Sequence, residues 1–216
     1  MRVVIAGGHG KIAMELTRLL DERGDLVRSL IRNPDHAEEV REAGATEAIV
    51  CDLEEAHEDR VAEAVGEADV VVFAAGAGPG SGPERKETMD YGGVVKLLEA
   101  AEHNHIPRFA VISSMGADAS HEGEETFDVY LRAKGRADDA VRASGLNYLI
   151  VKPGGLTDDP PAGKVTAGES VERGQIPRAD VAAVLATLLR DGAPARTIEV
   201  VGGKTPIEGL ADRLGG

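Results

Sequence analysis

The chain has 216 residues and a formal net charge of −14, from 38 acidic against 24 basic residues, with 3% aromatics and a single cysteine. That length suits one domain with a full core. An acidic surface with few rings to stack on bases excludes a nucleic-acid binder and an anionic-membrane binder. No apolar run is long enough to span a bilayer, and Met1 leads directly into a strand pattern without room for a signal peptide, so a cytoplasmic protein handling a small-molecule substrate is expected.

The first strand pattern, Val3-Val4-Ile5-Ala6, runs into Gly7-Gly8-His9-Gly10 and then into a helical pattern of Ile12, Leu16, Leu19 and Leu20. Gly7 allows a tight exit from the strand, Gly10 lets the backbone approach a pyrophosphate, and Ala13 lets the helix lie close on the strand. An anion would sit on the unpaired N–H groups at the helix start, around Lys11 and Ile12. A phosphate loop of the NTPase type is disfavoured, because Ile5 and Ile12 stand where it needs Gly and Ser or Thr.

A second strand over 26–31 ends in Arg32-Asn33-Pro34. In a dinucleotide fold this strand end meets the adenosine ribose, where an acid suits the 2′-hydroxyl of NAD and an arginine the 2′-phosphate of NADP. Arg32 stands there and no carboxylate follows until Asp35, so NADP is favoured over NAD, with Asn33 and Lys11 as helpers. A helix over 35–44 precedes a third strand over 47–51, which ends in Cys51, read as a buried thiol. Next comes Asp52-Leu53; Asp52 either contacts the adenine amine, with Leu53 against the ring, or caps the following helix.

A helix over 58–65 leads to an apolar central strand over 69–75. Its end, Ala75 and Gly76, opens a small-residue loop through Pro83, too flexible to be packed and able to pass close to the cofactor. An amphipathic helix over 90–105 is followed by a fifth strand over 108–114, a helix from about Thr126 to Gly145 and a sixth strand over 147–151. Alternation repeated in this way predicts an α/β doubly wound parallel sheet in a single domain. Residues 156–174 look like loop, 178–189 like a helix, 197–201 like a last strand and 207–214 like a short helix, so whatever covers the substrate is small.

Reactive groups collect where such sheets bind ligands, at the carboxyl ends of the strands. Ser113 and Ser114 end the fifth strand. Tyr130 and Lys134, at i and i+4, leave the same helix face, and a lysine beside a phenol favours phenolate, making the tyrosine a usable acid or base near neutral pH. A serine opposite would hold the substrate oxygen while hydride moves to or from a nicotinamide. His103 and His105 read as helix-end surface groups and His121 as a solvated loop residue; no metal-ligand spacing or nucleophile elbow is present.

The glycine turn, Arg32-Asn33-Pro34, Asp52-Leu53, Ser113-Ser114-Met115-Gly116-Ala117-Asp118, Tyr130-Leu131-Arg132-Ala133-Lys134, Ser144-Gly145-Leu146-Asn147-Tyr148, Lys152-Pro153-Gly154-Gly155-Leu156 and Ile176-Pro177-Arg178-Ala179-Asp180-Val181-Ala182 together resemble the atypical short-chain dehydrogenase/reductases, in their small NAD(P)-binding epimerase-like branch. The resemblance spans essentially the whole chain. It implies an NADP-bound Rossmann fold with Ser114, Tyr130 and Lys134 in the serine, tyrosine and lysine roles, Ser114 being preferred to Ser113 because the second residue of such pairs usually faces the substrate. It also implies that Lys134 holds the nicotinamide ribose and that the Pro153-Gly154 backbone borders the nicotinamide. One departure stands out: Asp90 occupies the helix start where extended members carry asparagine, and it either supports the same water relay to the lysine or pairs with the lysine and restrains its charge.

Three functions follow from this reading. The first is an NADP-dependent oxidoreductase acting on a small carbonyl or similar acceptor. The second is a nucleotide-sugar epimerase or dehydratase, disfavoured by the short segment after the sixth strand. The third is an NADP-binding sensor without turnover. A homo-oligomer is compatible with all three.

Overall fold

The computed structural model describes residues 1–78, 80–190 and 195–214. In chain order the elements are β1 (Arg2–Ala6), α1 (Lys11–Glu22), β2 (Leu26–Ile31), a 3-10 turn (Pro34–His36), α2 (Ala37–Glu42), β3 (Glu47–Val50), α3 (Glu58–Val65) and β4 (Val70–Phe73). There follow α4 (Pro83–Arg85), a π-helical turn (Lys86–Tyr91), α5 (Gly92–His103), β5 (Arg108–Ile112), α6 (Thr126–Ala143) and β6 (Asn147–Pro153). The chain continues through β7 (Gly155–Thr157), β8 (Lys164–Gly168), β9 (Gln175–Pro177), α7 (Arg178–Arg190), β10 (Arg196–Gly202), β11 (Thr205–Pro206), a 3-10 turn (Ile207–Gly209) and α8 (Leu210–Leu214).

The main sheet runs β3-β2-β1-β4-β5-β6-β10-β8-β11, parallel from β3 to β10, with β8 antiparallel to β10 and β11 antiparallel to β8. The apolar runs explain why. Val3 and Ile5 of β1 point into one core with α1 and α7, and Val4 and Ala6 into the opposite core with α3, α5 and α6. A strand buried on both faces needs no polar alternation, which is the pattern of Val70–Phe73 as well. Each buried Val, Leu, Ile or Phe side chain contributes about 1.5–3 kcal/mol relative to exposure. The chain leaves β1 for β2 on one side and reaches β4 on the other, so a crevice opens at the carboxyl ends of β1 and β4. No described helix is long and apolar enough to cross a membrane.

The expected Rossmann-like α/β sheet is the observed one, with three local differences. Residues 156–174, expected as loop, contain β7 and β8; β7 pairs with β9 in a small parallel ribbon, and β8 extends the main sheet beyond β10. Their strand state comes from partners distant in sequence, because β8 has Val165 as its one fully buried residue and carries almost no periodic signal of its own. The helix expected over 90–105 begins earlier, through α4 and the π-helical turn, so Asp90 lies inside that turn and not at a helix start. Gly92-Gly93, weak helix formers, hid that continuity. The loop after β4 is anchored at its start, where Ala77 is buried, its carbonyl accepts from Arg85 at 3.0 Å and the Gly78 carbonyl accepts from Lys86 at 2.8 Å, while Gly80, Gly82 and Pro83 are exposed. Pro79 of that loop lies outside the described residues.

Candidate functional site

The glycine turn fits a dinucleotide's pyrophosphate by its local geometry. Gly7 has φ +78°, and a Cβ there would fall 2.6 Å from the Ala75 Cα, so the turn needs glycine on two counts. Gly8, not singled out from the sequence, is constrained as tightly: a Cβ would fall 2.6 Å from the Ser29 Cβ. Its N–H and that of Gly7 both donate to the Leu30 carbonyl, pinning the turn on β2. Gly10 caps α1 without any side-chain hydrogen bond, and the first turn of the helix carries no acid. The leading N–H groups of α1 therefore present their donors and the positive dipole end to the crevice. Ala13 is fully buried beneath them.

Two cavities meet along Ala74 to Gly78. The smaller, about 330 Å³, is lined by Gly7, Gly10, Arg32, Asn33, Cys51, Asp52, Leu53, Ala75 and Gly76 among others, which brings the expected adenosine-side residues together. Arg32 is exposed at its mouth. The Asn33 side-chain oxygen accepts from the Asp35 N–H at 3.0 Å, leaving its amide group for a ligand. Asp52 accepts from the Glu54 N–H at 3.0 Å, so it caps a turn and not α3, which is preceded by His57, and it lines this cavity beside Leu53. Lys11 is not brought to Arg32. Its ammonium is 2.6 Å from Asp158, which also holds Arg178, on the other side of the turn.

Two histidines complete this rim without having been anticipated. His9 and His36 stack with ring centroids 3.6 Å apart, and His9 Nε2 lies 2.9 Å from Glu39. The His9 hydrogen bond, then its charge, holds the exposed Glu39 carboxyl below its ordinary value. The Gly8-His9-Gly10 setting was the available signal, since a side chain between two glycines in such a turn stands at the ligand's edge.

The larger cavity, about 560 Å³, is lined by Ile12, Ala75, Gly76, Lys86, Asp90, Ser113, Phe127, Tyr130, Lys134 and Leu156 among others. Lys134 Nζ donates to the Ile112 carbonyl at 3.0 Å and sits 3.4 Å from Asp90 Oδ1, with side chains 4% and 1% exposed. Asp90 Oδ2 accepts from the Ala77 N–H at 3.4 Å. Of the two roles open to Asp90, pairing with the lysine is the arrangement present. Tyr130 lines the same space, stacked on Phe127 at 5.9 Å between centroids.

The serines divide differently from the expectation. Ser113 lines the cavity, but its hydroxyl donates to Asp138 at 2.9 Å, and Lys152 lies 3.2 Å from the same carboxylate. Burial pushes the Asp138 carboxyl up, and Lys152 and Ser113 only partly offset it. Ser114 is not among the lining residues, and its hydroxyl makes a long 3.3 Å bond to the Met115 carbonyl. Pro153 and Gly154 stand back from both cavities, because the Gly154 N–H is paired with Val200 and a Cβ there would meet the Gly174 carbonyl at 2.3 Å. Among the described residues beyond Lys152, Leu156, two residues on, is the one that reaches either cavity. His121 is tied to Asp128 at 2.9 Å and lines neither.

A glycine turn at a helix start, an adenosine-sized cavity at the next strand end and a reactive cavity beside it, all at the switch point of a parallel sheet, define a dinucleotide-binding α/β protein. The chain belongs to the NAD(P)H-binding family, whose pattern it matches over residues 7–192. It is 35% identical to the uncharacterised sugar epimerase YhfK of Bacillus subtilis, over 99% of this chain and 100% of that one. A solved Bacillus halodurans structure described as a candidate NAD-dependent epimerase/dehydratase is 37% identical, with a TM-score of 0.92 over 99% of this chain and 100% of the other. ChuY, an anaerobillin reductase of Escherichia coli O157:H7, shares the fold at 24% identity and a TM-score of 0.78, over 94% of this chain and 97% of that one.

Proposed function

We propose that the chain is an NADP-dependent oxidoreductase that moves hydride between NADPH and a small carbonyl-type substrate. The observation that carries this reading is the placement of Tyr130, Lys134 and Asp90 in one cavity that is continuous, along Ala74 to Gly78, with the nucleotide cavity. The nicotinamide, when bound, supplies or accepts the hydride. Tyr130 gives or takes the proton at the substrate oxygen. Lys134, buried and paired with Asp90 in the same cavity, would hold the nicotinamide ribose. Neither serine takes the substrate-oxygen role in this arrangement, since Ser114 does not line the cavity and the hydroxyl of Ser113, which does, is committed to Asp138. Of the described residues from 152 onward, Leu156 covers the substrate space. The acidic charge suits a cytoplasmic enzyme.

Arg32 carries the preference for NADP through the 2′-phosphate. Arg32→Asp should therefore weaken NADPH binding by about tenfold or more, the range of a charge-assisted hydrogen bond, and improve NADH binding, both read by calorimetry. An unchanged ratio of the two affinities contradicts the role.

The second reading, a nucleotide-sugar epimerase or dehydratase, has in its favour the name of the Bacillus subtilis relative. It requires a surface for a second diphosphate, and the segment after β6 mostly extends the sheet instead of covering the cavity. Calorimetric binding of a nucleotide-sugar by the NADP-loaded protein would favour it over hydride transfer to a small carbonyl.

A further inference from the structure

The larger cavity holds one cation more than its own residues neutralise. Lys86, in the π-helical turn, is 8% exposed and lines the cavity, and its protein partner is the Gly78 carbonyl at 2.8 Å. An ammonium has three donors, so two remain. The carboxylates around it are engaged elsewhere: Asp90 with Lys134, Glu87 with Arg136, and Glu54 with Arg85. A buried charge without a counter-charge is unfavourable, and in a chain of net charge −14 a carboxylate partner would be easy to supply from within. Its absence beside Lys86, among the described residues, points to a partner that arrives with the ligand.

The rest of the cavity says what that ligand is made of. Phe127 is 62% exposed and Leu156 37%, two of the four large apolar side chains left exposed among the described residues, and both line this cavity. The Phe127 ring lies within 28° of parallel to Tyr130. Lys86 Nζ is 5.5 Å from the Tyr130 ring centroid, so the cation and the proposed acid or base address the same space. Ile12 and Ile112 close its inner wall. A volume of about 560 Å³ suits a ligand of one to a few rings.

We propose that the larger cavity takes an organic acid with a flat, apolar body, whose anionic group pairs with Lys86 while the body lies against Phe127 and Leu156. This rests on the hydride-transfer reading in taking the cavity as the substrate's, and it adds the substrate's class. Lys86 does not line the nucleotide cavity, which separates this role from holding the cofactor's phosphates.

The test uses 2-naphthoate and its neutral analogue 2-naphthamide as probes, titrated by calorimetry into the protein with and without NADPH. Naphthoate should bind about tenfold or more tightly than naphthamide, and Lys86→Gln should weaken naphthoate about ten- to hundredfold, the range of a hydrogen bond to a charged group. The same variant should leave naphthamide and NADPH binding unchanged, which also shows that it is folded, and Lys86→Arg should restore naphthoate. Equal binding of the two probes overturns the proposal, as does failure of naphthoate to bind at all. A Lys86→Gln variant that loses NADPH affinity in parallel overturns it too, by making Lys86 a cofactor ligand. A wild-type protein that fails to bind NADPH counts against the hydride-transfer reading instead, and the cofactor-free titrations still decide Lys86.

Discussion

Tyr130→Phe should lower kcat by about 10²–10⁴-fold, the range that a positioned general acid or base contributes, while leaving NADPH affinity nearly intact. The substitution removes one oxygen and keeps the ring. The stacking on Phe127 and the approach of Lys86 to the ring face persist, so the cavity keeps its shape. What disappears is the hydroxyl proposed to give or take the substrate's proton, one helical turn from Lys134 on α6. Turnover on the same substrate, with and without the substitution, is the measurement. A rate that survives assigns the proton to another group and contradicts the role given to Tyr130.

The second large effect is on stability. Asp90→Ala should destabilise the fold by about 3–5 kcal/mol in a urea titration near neutral pH, because it strands Lys134 as a buried ammonium whose remaining bond is to the Ile112 carbonyl. The Ala77 N–H loses its acceptor in the same change. Asp90→Asn keeps an acceptor for that N–H but removes the same counter-charge from the buried ammonium, so it should cost nearly as much. The comparison separates charge pairing from simple packing: equal losses for Ala and Asn mean that the carboxylate's charge is what matters, and no loss for Ala means that the ion pair does not hold the π-helical turn in place.

The parts of the fold that could be read from the sequence were those whose signal is local. β1 and β4 are continuous apolar runs, and α1 carries its own stripe of Ile12, Leu16 and Leu20, so pattern alone identifies them. β7, β8 and β9 were not legible, since each is too short to show a period and owes its state to a partner strand. In the cleft, the residues expected from strand ends, Gly7, Gly10, Arg32, Asp52, Leu53, Ala75 and Gly76, line one cavity, because a strand end has a fixed place in a doubly wound sheet. Contacts that depend on where long side chains reach were not legible. Lys11 turns to Asp158, the His9–His36 stack joins two separate loops, and Lys86 enters the cavity through a π-helical turn that no periodicity announces. Asp90 is intermediate: its substitution for asparagine was visible, but its choice between water relay and ion pair needed the position of Lys134.

The proposed reaction is hydride transfer from NADPH in the larger cavity. Its most direct measurement is steady-state NADPH oxidation against a panel of small carbonyl compounds and quinones, with the cofactor deuterated at C4. Turnover with at least one acceptor is expected, with deuterium carried to the carbinol carbon when that acceptor is a carbonyl. Tight NADPH binding with no turnover on any member of the panel would contradict it and leave a nucleotide-binding protein without this chemistry.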